Sequence, residues 1–439
     1  MGRLLVIGVF ACAAAGLAYP WIGVLYGYLS DILTPQDIWF WDFHGIRAEF
    51  WVLMPTCIGA MFWLVTKRFN LSFLRNRRNA YFFILWVAFL LSYFLGPYTH
   101  IKGPYRFDSA QTALWRINKI MVLYFIACLS IDSVRKAKYL FFVLVGSVAY
   151  MTYWANHQYW IGNVIGRLGG PSGGSGHSLY GDQNAFAMLF VVAQPFFWYL
   201  GLSMKRRIWR WSCWLMMAFS WNAIFLTASR GGFVGLVIVL LLLIVRSNRK
   251  MLGLLLIPLF SFAVVYHGGH MMTSRIFTID HYHKDGSAED RLHAWQAAIR
   301  MVEAHPITGV GLTGFGPAFT HFSHHHPREA HNTLLQLTAE SGVLAGAMYV
   351  LIAIAVIGGL WRNGRYLRRQ VPGDNVRTLL MINEATLIGF CGFIVCAVFL
   401  SLQFYEIYYC LGVLANAVLY LSLKLEPVTE PASALFITA

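Results

Sequence analysis

The chain has 439 residues, of which 58% are hydrophobic and only 12% charged, and its mean hydropathy is +0.57. Soluble domains carry about 25% charged residues, and a soluble core does not account for apolar runs repeated from end to end. A bilayer does, because a helix needs about 20 apolar residues to cross it. The net charge of +15 would point to nucleic acid in a soluble protein. Here the basic residues mostly sit in short loops between apolar runs, where membrane topology explains them first, so no nucleic-acid partner is expected.

The opening run, MGRLLVIGVFACAAAGLAYPW, superficially resembles a secretory signal with small residues at Ala13–Ala15. It continues through WIGVLYGYLSDIL, so it reads as a retained first span over residues 4–30, kinked at Pro20 or split into two short half-spans. Eleven further spans follow at about 50–66, 80–96, 117–131, 139–157, 184–202, 211–228, 232–245, 251–267, 333–360, 380–400 and 406–423. The loops carrying Lys67 to Arg78, Arg135 to Lys138, Lys205 to Arg210, Arg246 to Lys250 and Arg362 to Arg369 then fall on one side. That side is cytoplasmic by the positive-inside rule, and both termini share it. The other side receives residues 31–49, 97–116, 158–183 and a long piece at 268–332. Helical stretches such as EDRLHAWQAAIRMVEAH give that piece a small helical subdomain. The expected fold is all-α and polytopic, with about twelve transmembrane helices. It divides into an N-terminal membrane region (1–250), a C-terminal region with the outer loop (251–423) and a tail (424–439). The seven cysteines all lie in apolar segments without a CxxC pair and read as small buried hydrophobes.

Four polar stretches exceed what topology requires. GRLGGPSGGSGHSLYGDQNAFAML is either a flexible loop or a substrate-lining one, with Arg167, His177, Asp182 and Asn184 near the interface. It lacks the GKS/T ending of a P-loop. TASRGG places Arg230 between two spans at the outer end, against the charge trend. Snorkelling to headgroups is the plain explanation, and a bidentate grip on phosphate the functional one. DGSAEDRLHAW contributes Asp285, Glu289, Asp290, Arg291 and Trp295. Asp290 could simply offset Arg291, while Arg230 and Arg291 together would suit two linked phosphates.

The fourth stretch is HFSHHHPREAHNTLLQLTAESG. His321, His324, His325 and His326 invite a metal, but no flanking Cys, spaced carboxylate or HExxH supports one, and no metal or other cofactor is expected. His331 immediately precedes an apolar run. Asn332, Gln336 and Glu340 follow at steps of four and form one stripe. A helix-capping or core role for His331 is the simple reading. A neutral histidine there could also accept a hydroxyl proton near pH 7.

At HNTLLQLTAESG the chain resembles the O-antigen ligase/polymerase superfamily, through His331, Asn332, Gln336, Glu340 and Gly342. TASRGG with Arg230 and DGSAEDRLHAW with Arg291 fit the same pattern in the same order. YPWIGVLYGYLSDILTPQ and GDQNAFAM look like a narrower branch of glycan ligases associated with exosortase and exopolysaccharide loci. The resemblance implies a membrane glycosyltransferase of the GT-C-like class, embedded in the bacterial inner membrane with its site facing the periplasm. Its donor would be an undecaprenyl-diphosphate-linked glycan. Its acceptor would be lipid A–core, a growing polysaccharide or a protein hydroxyl. Arg230 and Arg291 would hold the diphosphate, and His331 would bind or deprotonate the acceptor in metal-independent, inverting transfer. Glu340 would orient His331 or bind sugar. A protein O-oligosaccharyltransferase is the nearest alternative. A transporter of lipid-linked glycan or an envelope scaffold would also account for many spans, although neither an internal repeat nor an acidic coupling site at mid-membrane is evident.

Overall fold

A computed structural model describes residues 2–101, 109–173, 180–247, 250–267 and 286–425, and its regular elements there are all helical. The chain opens on α1 (Gly2–Ala18), α2 (Pro20–Leu33) and the one-turn α3 (Pro35–Ile38). Next come α4 (Ala48–Val65), α5 (Arg77–Leu95), α6 (Ala110–Ser130) and α7 (Val134–Trp160). The middle holds α8 (Gln183–Ser203), α9 (Arg207–Thr227), α10 (Arg230–Arg246), α11 (Lys250–Leu254) and α12 (Leu256–His267). The last part holds α13 (Gly286–Ala304), α14 (Phe315–Phe322), α15 (Thr333–Leu367), α16 (Asp374–Ala397) and α17 (Glu406–Ser422). By length and apolarity, α4, α5, α6, α8, α15 and α16 can each cross a membrane, and shorter apolar helices pack among them. This is the polytopic all-α fold expected. Helix α8 is apolar all round, as a fully enclosed helix must be, and nearly every residue from Ala185 to Phe197 is inaccessible. It packs on α9, α10 and α16.

Helix starts follow side-chain caps rather than the onset of hydropathy. Ser109 accepts from Thr112 N–H, so α6 begins at 110 rather than 117. Ser133 accepts from Lys136 N–H, so α7 begins at 134 rather than 139. These caps satisfy amides that have no partner within the helix.

The first apolar run takes the split form of the two expected for it. The chain breaks at Tyr19–Pro20 and returns as an antiparallel hairpin. Trp63 Nε1 donates to Ala18 O at 3.0 Å at its tip. At its open end Gly2 abuts Asp42 and Trp39, and Arg3 pairs with Asp42 at 3.6 Å. Both arms lie on α4, where Gly16, Gly23 and Gly59 permit close backbone approach. The basic loops do gather at one end of the bundle. Lys136 sits over Trp21 beside the hairpin tip, Lys424 over Phe73, and Arg246 and Arg368 share Glu384. The C-terminal end of α17 lies there too. The start of α1 lies at the opposite end. The first run thus takes the form of two half-spans rather than one kinked span.

The expected helical subdomain is present. Ala294, Ala298 and Met301 of α13, Phe315 and Phe319 of α14, Val310, Ala330 and Ala339 form a separate small core. It is seated on a break in α15 at Gly342 (φ 82°). There Val310 N–H donates to Ala339 O at 2.8 Å, Gly311 N–H to Glu340 O at 3.0 Å, and Val343 N–H to Pro306 O at 2.8 Å.

Candidate functional site

The end of the bundle opposite the basic loops collects most of the polar residues singled out above. Asn332 caps α15 by accepting from Leu335 N–H at 3.2 Å. His331, just before it, has φ 45°. A left-handed backbone is uncommon for residues other than glycine and concentrates at functional sites. Three bonds hold the residue there from either side. Trp295 Nε1 donates to Ala330 O at 2.8 Å, Ala330 N–H donates to Gln336 Oε1 at 3.3 Å, and the Asn332 cap fixes the other flank. Trp295 thus braces the histidine from α13.

Arg291 lies close enough to His331 to act on its charge. Burial first, then the Arg291 guanidinium, push the imidazole below its ordinary value of 6.5, with Arg328 adding to this and Asp182 opposing it. Asp290 pairs with Arg328, further along the same outer segment. Glu329 stands on the same loop, raised above its ordinary value of 4.5 by burial and by Asp182.

Asp182 caps α8 by accepting from Asn184 N–H at 3.0 Å and Ala185 N–H at 2.9 Å. Arg167 Nη2 donates to Asn184 Oδ1 at 2.8 Å and its Nε to Thr227 O at 2.9 Å. Arg167 therefore ties its loop to the α9–α10 turn that carries Arg230. His177 and Asp285 lie outside the described residues. Arg230 is the first, exposed residue of α10, behind the Ser229 cap. The next residue, Gly231, packs on Phe399, and Thr333 Oγ1 donates to Leu400 O at 2.6 Å. Through residues 399–400, Arg230 and His331 belong to one end of the bundle.

Gln336 and Glu340 share a buried face of α15, as the four-residue step requires. Gln336 Nε2 donates to Glu340 Oε1 at 3.4 Å, and Gln336 Oε1 also accepts from Ser401 Oγ. The Glu340 carboxylate is further bonded by Phe315 N–H and the Gln403 side chain. Through Gln336 and Ala330 N–H it is linked to the histidine loop. Among the described residues no three His, Cys, Asp or Glu side chains come together to hold a metal. In the histidine-rich loop, His325 stacks on His293 with centroids 3.6 Å apart.

Sequence reasoning passed over a second polar group beside this one. Lys119 Nζ meets Asp31 Oδ1 at 2.8 Å, Glu49 Oε2 at 2.8 Å and Glu406 Oε1 at 3.1 Å. Among the described residues, Asp31 Oδ2 and Glu406 Oε2 have no hydrogen-bond partner. Glu406 adjoins Tyr405, which feels the charges of both Asp182 and Glu329, so the two groups are contiguous. The available signal was a charge inside an apolar run: Lys119 falls within the span read at 117–131, and Glu406 opens the one at 406–423. Glu329, Ser401 and Gln403 gave no such signal.

Residues 212–350 match the family model described as O-antigen ligase. The matched segment opens in α9 and closes in α15, and takes in Arg230, Arg291, Trp295, His331, Gln336 and Glu340. No curated protein matches the sequence.

Proposed function

We propose that this chain, placed in the O-antigen ligase/polymerase superfamily by the match over residues 212–350, transfers a glycan from an undecaprenyl-diphosphate donor to an acceptor hydroxyl. The observation that carries the reading is His331: a strained, clamped histidine kept neutral by burial and by Arg291, one of the two arginines suited to a diphosphate. The acceptor hydroxyl attacks the anomeric carbon and its proton passes to His331. The bond from that carbon to the diphosphate oxygen breaks, and undecaprenyl diphosphate leaves. Arg230 and Arg291 hold the diphosphate and stabilise its growing charge. Attack from the opposite face inverts the anomeric centre, and no metal is assigned a role. The site faces the periplasm if the basic loops are cytoplasmic. Lipid A–core, a growing polysaccharide or a protein hydroxyl are the candidate acceptors.

The test uses purified protein, a defined polyprenyl-diphosphate glycan and each acceptor class separately, with products read by mass spectrometry. His331→Gly removes the imidazole and suits φ 45°, so it should bind donor and stay folded but transfer poorly. Full transfer by that variant sinks the assignment. Arg230→Lys and Arg291→Lys should weaken donor use at low donor concentration, because lysine lacks the planar two-pronged donor.

A second reading, a transporter of lipid-linked glycan, draws on the largely buried Lys119, Asp31 and Glu406 with the half-buried Glu49. Movement of labelled donor in proteoliposomes without glycan transfer would favour it.

A further inference from the structure

At the basic end of the bundle, α5 and α6 part to leave a lateral groove of about 890 Å³. Ala80, Phe83 and Trp86 line it from α5 and Phe125 from α6, with Arg75 and Arg77 at its mouth. The walls are aromatic: Phe83 and Phe125 lie 6.4 Å apart between centroids, and Trp86 stacks on Phe125 at 6.0 Å. The polar edge of Trp86 is already satisfied, since its Nε1 donates to Asn118 Oδ1 at 2.8 Å. The groove therefore asks for an apolar occupant. No carboxylate lines it, and both arginines are exposed, so its mouth asks for an anion.

The dimensions fit one monolayer. From Arg77 to Trp86 the helix rises roughly 14 Å, and half of a hydrocarbon core is about 15 Å. We infer that this groove binds an anionic glycerophospholipid of the leaflet at the basic end, with an acyl chain between α5 and α6 and the headgroup phosphate on Arg75 and Arg77. Guanidinium suits this task because it grips phosphate in two-pronged fashion. The site is independent of the glycan-transfer reading and lies at the opposite end of the bundle from His331.

The experiment is native mass spectrometry of the full detergent-purified chain. It is offered equal amounts of phosphatidylglycerol and phosphatidylethanolamine with identical chains. The unmodified protein should retain phosphatidylglycerol with roughly thirtyfold preference, the scale that two arginines supply at a membrane surface. Arg75→Gln with Arg77→Gln should abolish the preference. Arg206→Gln with Arg207→Gln, which changes exposed basic residues of another loop, should keep it. Ala80→Trp fills the groove while leaving both guanidinia, and should lower retention of both lipids. Equal retention by the unmodified protein, loss of preference in the Arg206 and Arg207 variant, or undiminished retention by Ala80→Trp would each overturn the assignment.

Discussion

His331 and Asp182 show how one residue carries two jobs that a sequence motif cannot separate. Asp182 caps α8 and also faces the imidazole with a negative charge. Asparagine caps about as well as aspartate, so Asp182→Asn removes the charge and spares the helix. In the folded protein His331 holds its proton less tightly than its ordinary value of 6.5. Its contribution to stability is thus complete above 6.5 and is lost as pH falls towards the folded value. A neutral base is needed for transfer, so the acid limb of kcat/KM should lie below 6.5. Asp182 is the neighbour that favours the charged imidazole, and its neutralisation should move that limb further to acid with little change in thermal stability. Profiles of kcat/KM from about pH 5 to 8 decide this, and a limb that stays put would show that Asp182 serves only as a cap. The stripe of Gln336 and Glu340 was legible from spacing alone. The part played by Glu329 was not, because its neighbours Asp182 and Ser401 come from distant segments.

At the scale of an element, the break in α15 is what seats the outer subdomain. Gly342 belongs to the stretch that carries the family resemblance, but the run at 333–360 reads as one continuous span. Its φ of 82° instead turns the chain and frees Ala339 O and Glu340 O to accept from Val310 and Gly311. A Cβ on Gly342 would also overlap the Ile307 carbonyl. Such breaks depend on partners remote in sequence, so local periodicity is silent about them. Gly342→Ala should therefore destabilise the protein by about 1–3 kcal/mol, and it should impair transfer more than donor binding, since Glu340 and the histidine loop both hang from the break. Thermal unfolding in detergent alongside donor titration measures the two effects. An unchanged melting temperature would mean that the kink forms without glycine.

At the scale of the whole molecule, alternation of apolar runs with basic loops made the bundle legible, since unbroken runs of about 20 apolar residues have the length of a helix that satisfies its own backbone across a bilayer. Contacts between runs were not legible, and two of them change the picture. Lys119 joins α2, α4, α6 and α17 through three carboxylates. Lys119→Met would leave the buried carboxylates of Asp31 and Glu406 without its charge, at a cost of about 3–5 kcal/mol. Adding Asp31→Asn and Glu406→Gln should recover most of the melting temperature, and failure to recover it would show that the lysine holds the helices by packing alone. The second contact is the hairpin of α1 and α2. Hydropathy shows only a long apolar run, and a kinked span and a hairpin share that pattern. The Ala18 bond to Trp63, the Arg3 pair with Asp42 and the glycine-mediated seat on α4 select the hairpin. A cysteine placed at position 3 should therefore react with an impermeant maleimide from the same side as one at position 165, which is 95% exposed in the loop after α7. A cysteine at position 206, in a basic loop, should react only from the other side. Labelling of the unsubstituted protein provides the blank for the seven native cysteines. Reaction of positions 3 and 206 from one side would restore a single first span and displace the hairpin.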